Sequence, residues 1–107
     1  MLPSAIFDVH KPVMIWFGLL DSEADKVVDF MVDHFFVEFP YPGSTPRVKA
    51  DAKQISNSTF VLRRDTTCQQ WLDDNYRGAD SIDVGSFEIV RFDEPSSAVE
   101  FKLRWCV

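Results

Sequence analysis

The eight residues Val13-Met-Ile-Trp-Phe-Gly-Leu-Leu20 constrain this chain more than any other stretch. They carry no charge, and most are β-branched, aromatic or leucine. A strand with one wet face alternates apolar and polar residues. This run does not, so it predicts a strand covered on both faces, at the centre of a sheet. It is too short for a membrane span, which takes ~20 apolar residues. At Asp21-Ser22 the run stops and a helix begins.

Before it, Ala5-Ile-Phe7 lies between Pro3 and Pro12, so residues 1–12 read as an arm or an extra edge strand. After it, Asp21 or Ser22 can cap a helix whose first turn carries Glu23 and Asp25. Ala24, Val27, Val28, Met31 and Phe35 fall within about 100° of one another on a helical wheel and form a core stripe. Val32 and Phe36 widen it. Asp25, Asp29 and Asp33 recur at i, i+4 and i+8 beside it, and the helix should end near Val37. Pro40–Pro46 is a loop by composition. Arg47–Lys53 alternates as a half-exposed strand, Ser56-Asn-Ser58 turns, and Thr59–Arg64 is the return strand. Asp65–Tyr76 is a second helix, with Thr66 and Gln69 at capping-box spacing. Ile82–Phe92 reads as a fourth strand, with Gly85 marking a bulge. Val99, Phe101, Leu103 and Trp105 alternate with Glu100, Lys102 and Arg104, which predicts a closing strand. No internal repeat is visible.

The resulting order is βαββαβ plus a C-terminal strand. It predicts a ferredoxin-like α+β sandwich in one domain, 1–107, with an antiparallel sheet and both helices on one face. Another α+β meander could use the same elements. The composition supports a real core: 46% of the 107 residues are hydrophobic, with ten Phe and three Trp.

The net charge of -6 argues against direct nucleic-acid binding, which rests on neutralising phosphates, and against an anionic membrane surface. It permits a partner with a basic surface. Asp21–Glu38 holds six acids and one base, Lys26, whereas eight of the eleven bases fall on the expected strands. On those strands Asp51, Glu88 and Glu100 should pair with the bases. Two cysteines, Cys68 and Cys106, are too few for a disulfide-stapled secreted domain and read as reduced thiols. No basic segment precedes the apolar run as in a signal peptide, so a cytoplasmic location is expected.

Chemistry-bearing motifs are sparse. His10 and His34 have no ligand-spaced neighbours, so no metal and no cofactor are expected. There is neither a phosphate-binding glycine loop nor a G-x-S-x-G elbow. Cys68 sits near a helix start, where a thiol can be activated, but its spacing with Trp71 and Leu72 places it in the core. The acids Asp25, Asp29 and Asp33 have the form of a solvated ridge, the ordinary state of a soluble helix. Phe30 falls opposite the core stripe, and Phe36 and Tyr41 lie near the helix end.

The reading is therefore a small acidic protein-interaction module. Its partner-binding residues are Asp25, Asp29, Asp33, Phe30, Phe36 and Tyr41, and its partner is a protein with a basic, nucleic-acid-binding surface. In size and charge alone it resembles small inhibitors of phage and toxin-immunity systems. The alternative is a dimeric ligand-binding or enzymatic α+β domain, with Trp16, His34, Trp71 and Tyr76 lining a pocket between sheet and helices.

Overall fold

A proline at its start and a glycine at its end make the N-terminal apolar run a helix. A computed structural model describes residues 3–38, 51–76 and 80–106. Helix α1 (Pro3–Phe7) leads through a single 3-10 turn, Asp8–His10, into α2 (Lys11–Phe17). Pro12 occupies the first turn of α2, where its missing N–H costs nothing. Gly18 follows with φ 108, a left-handed value suited to glycine. The Leu19 N–H donates to Met14 O and the Gly18 N–H to Ile15 O, both at 3.0 Å, which closes a Schellman motif. Met14 and Leu19, the two apolar residues this motif brings together, are both buried. The expected central strand over Val13–Leu20 is thus corrected, as is the arm or edge strand expected over 1–12, whose described residues, 3–12, are helical. An uncharged run of eight suits a strand or a buried helix equally; the flanking Pro and Gly decide it.

The chain divides into two compact units, Met1–Lys49 and Ala50–Val107. In the first, α3 (Asp21–Glu38) follows α2 after a short turn. Its start is closed by Glu23, whose carboxylate accepts the Leu20 N–H at 2.8 Å, rather than by Asp21 or Ser22. Ala24, Val27, Val28, Phe30, Met31 and His34 are buried, an arc of about 160° on the wheel.

In the second unit, β1 (Ala52–Gln54), β2 (Thr59–Arg63), β3 (Asp80–Val84) and β4 (Phe87–Arg91) form an antiparallel sheet of order β1-β2-β4-β3. Helix α4 (Thr67–Asn75) follows β2, and α5 (Pro95–Trp105) follows β4. The chain is therefore α+β with a four-stranded antiparallel sheet. The ferredoxin-like strand order is not what it adopts. The expected fourth strand is instead a hairpin: Val84 pairs with Phe87 across Gly85-Ser86. Gly85 has φ 62 at the first loop position, the arrangement of a II′ turn. The expected closing strand is α5. Its alternation also fits a helix, with Ala98, Phe101 and Trp105 turned inward at spacings of three and four. Val99 and Leu103, four apart, are turned out. Pro95 at the helix start carried the missed signal.

Both helices cover one sheet face. Ala52, Phe60, Leu62, Val90 and Phe92 pack there with Cys68 and Leu72 of α4 and with Ala98 and Phe101 of α5. Phe101 is the hub. Its ring lies 4.9 Å from Phe60, 5.4 Å from Phe92 and 6.2 Å from Trp71.

The order of elements in this unit also repeats, hairpin-helix-hairpin-helix, which sequence inspection does not reveal. The strand order is unchanged when β1 and β2 are exchanged with β3 and β4. Val61 pairs with Ile89 at the middle of the β2–β4 ladder, so the local two-fold passes through that pair. The N-caps Thr66 and Glu94 follow β2 and β4 at equal distances.

Candidate functional site

On α3 the acids stand opposite the core. Asp25, Asp29 and Asp33 fall about 40° apart on the wheel, centred roughly 180° from the buried arc. All three are exposed. Asp25 is engaged: its Oδ1 accepts from Lys11 Nζ at 2.8 Å, which ties α2 to α3. That bond and the neighbouring acids raise the Lys11 pKa. Asp29 and Asp33 have no ion pair among the described residues.

The expected aromatic anchors separate. Phe36 falls on the acidic side of α3 and is half-buried, with its ring edge-on to Phe35 at 5.6 Å. Phe30 is corrected: it is 6% exposed, with its ring 4.2 Å from that of His34, so it presents almost nothing to a partner. The buried arc is wider than the stripe that spacing alone picks out. Tyr41 lies outside the described residues.

The expected basic sheet face is redistributed. Lys53, Arg63 and Arg91 are on strands, Lys102 and Arg104 on α5, and Arg64 just past β2. Arg47 and Lys49 lie outside the described residues. Glu88 has no ion pair with a base among the described residues; it is buried and accepts from Gln69 Nε2 at 2.9 Å. Glu100 is on a helix, where the Tyr76 side chain meets it. Partial desolvation, with that hydrogen bond second, raises the Tyr76 pKa.

The residues of the pocket reading fall in both units. Trp16 is 82% exposed. His34 is buried, with Nδ1 3.1 Å from Phe30 O. Trp71 and Tyr76 pack edge-on at 5.5 Å within the second unit's aromatic cluster. A polar hollow of about 510 Å³ opens at the start of α4, lined by Asp65, Thr66, Thr67, Gln69, Gln70 and Asp73. The cap of α4 lies in it: Thr66 Oγ1 accepts the Gln69 N–H at 3.2 Å, and Gln69 Oε1 accepts the N–H of Asp65, the residue before the cap, at 2.8 Å.

Cys68 and Cys106 are free thiols. Burial pushes the Cys68 thiol up to about 12 and the Cys106 thiol up to about 11. Both stay protonated near neutrality, the opposite of an activated nucleophile. Among the described residues no group of His, Cys, Asp and Glu is placed to hold a metal ion. No helix among them is long and apolar enough to cross a membrane.

One surface escaped the sequence reading. Ile6, Val9, Val13, Trp16 and Leu20 are exposed on and beside α1 and α2, and Ile15 is exposed on another side of α2. Their spacing of three and four from Ile6 to Leu20, Ile15 aside, was legible, but a strand assignment hid it. Comparison with protein-family models, with curated proteins and with solved structures finds no match for this chain.

Proposed function

We propose that this chain is a protein-interaction module that docks the acidic side of α3 on a basic surface of another protein. The observation that carries the reading is the exposure of Asp29 and Asp33, one turn apart, directly opposite the buried arc of their helix. Phe36, one turn beyond Val32 and on the same side, supplies a half-buried apolar edge to the contact. Two unscreened carboxylates steer a cationic partner over a Debye length of ~8–10 Å and raise its association rate more than its final affinity. Such a partner surface is typically one that otherwise holds nucleic acid, so occupying it would inhibit. A cytoplasmic setting fits this role.

The test is charge reversal at Asp29 and Asp33 with Asp25 left in place, because Asp25 holds Lys11. Asp29→Lys with Asp33→Lys should slow association with the partner about tenfold and flatten its salt dependence. Unchanged association kinetics would refute the acidic docking face.

A further inference from the structure

A helix that is apolar nearly all round is normally covered all round. In α1 and α2 the inner stripe is Phe7, His10, Met14 and Phe17, half-buried or buried, with Phe7 edge-on to Phe35 of α3 at 6.1 Å. The outer stripe is Ile6, Val9, Val13 and Trp16, continued by Leu20, and it carries no charge. Val9 is 70% exposed, Trp16 82% and Leu20 67%. These five side chains present on the order of 600 Å² of apolar surface, the upper end of what a monomer leaves open in one patch; Ile15, also exposed, lies on another side of α2.

We propose that a second copy of this chain covers this stripe, in an antiparallel, two-fold pairing of α2 with α2. Three observations favour that occupant. The stripe supplies roughly three quarters of the ~800 Å² per partner that a standard interface buries. The stripe is uncharged, so it meets itself without like-charge repulsion, as an isologous contact requires. The order of side-chain sizes is also self-complementary. In an antiparallel register centred on Val13, small Val9 lies against large Trp16 of the second copy, and Ile6 lies near Leu20 of the second copy. A parallel register would set two Trp16 indoles against each other. A lipid surface fits less well: interfacial helices carry several Lys and Arg on the polar side, whereas here the one lysine, Lys11, is tied to Asp25 and Asp8 adds an acid.

The pairing does not rest on the acidic docking face, and the two fail separately. The experiment is sedimentation equilibrium of the full chain from about 1 to about 100 µM, a range that covers modest affinities. The wild type should be a dimer at the upper end. Trp16→Glu should raise the dimer dissociation constant by about tenfold or more, as expected for a central aromatic anchor, with an unchanged far-ultraviolet dichroism spectrum. Val9→Asp repeats the test should Trp16→Glu fold poorly. Val99→Glu, at an exposed apolar position of α5, should leave the dimer intact, as should Asp29→Lys with Asp33→Lys. A wild type that stays monomeric throughout would overturn the proposal. So would a dimer indifferent to Trp16→Glu and Val9→Asp, a dimer broken by Val99→Glu, or a monomer that sediments with zwitterionic vesicles.

Discussion

Cys68 sits in the first turn of a helix, where the dipole favours a thiolate. That effect is worth at most about 1 kcal/mol at an ordinary site, under one pKa unit. Desolvation moves the thiol the other way, from 9.0 to about 12, so burial wins. The consequence for stability has a definite sign. In the unfolded chain both thiols ionise from about pH 9; in the folded chain they remain protonated to about 11 and 12. The raised folded values favour the folded state fully below pH 9, and that contribution is lost as pH rises through the window from 9 to about 12. The thermal midpoint should therefore fall steadily above pH 9, and alkylation of the native protein at pH 8 should be far slower than after unfolding. A flat midpoint across that window, or equal alkylation rates, would contradict the burial of these thiols. At this scale the sequence was informative where spacing sets the environment, as for Cys68. It was misleading for Phe30, because its side chain sits at the margin of a buried arc whose width depends on what packs there, and a helical wheel has no term for that.

Elements were legible where their ends were chemically marked. Thr66 predicted the N-cap that starts α4, with Gln69 reaching back one residue further than a capping box, to the Asp65 N–H; Thr66→Ala should cost about 1 kcal/mol, measured by urea unfolding with the Trp71 and Trp105 fluorescence that reports on the second unit. A cost near zero would mean that the cap is not formed in solution. The marks at α2 and α5 were equally present, Pro12 with Gly18 and Pro95, yet they lost to the apolar pattern. Both runs satisfy a strand's period as well as a helix's, and a short run has no length to arbitrate. Gly18 offers the matching test. At φ 108 a Cβ is strongly disfavoured, so Gly18→Ala should destabilise the chain by about 1 kcal/mol or more, read as a lower urea midpoint. An unchanged midpoint would argue that α2 does not end in the Schellman turn.

Across the whole chain, the sequence predicted an α+β protein with an antiparallel sheet and an acidic helix, and these are present. The strand order was beyond it, because order is set by which hairpins pair, and two hairpins can join through either edge. The repeated order was hidden because β2 reads Thr-Phe-Val-Leu-Arg and β4 reads Phe-Glu-Ile-Val-Arg. They share burial and an arginine at the last position but little else. The charge layout was legible only in part: α3 does expose its acids, while the bases divide between strands and α5. The central claim, that exposed acids on α3 meet a basic protein surface, is tested most directly by quantitative capture. The immobilised wild type and the Asp29→Lys, Asp33→Lys variant are exposed to nuclease-treated lysate of the source cell, and bound proteins are counted by mass spectrometry across a salt series. The account predicts a stoichiometric basic partner on the wild type, lost from the variant and weakened steadily by salt. The same partner held equally by both, or no stoichiometric partner on either, would contradict it.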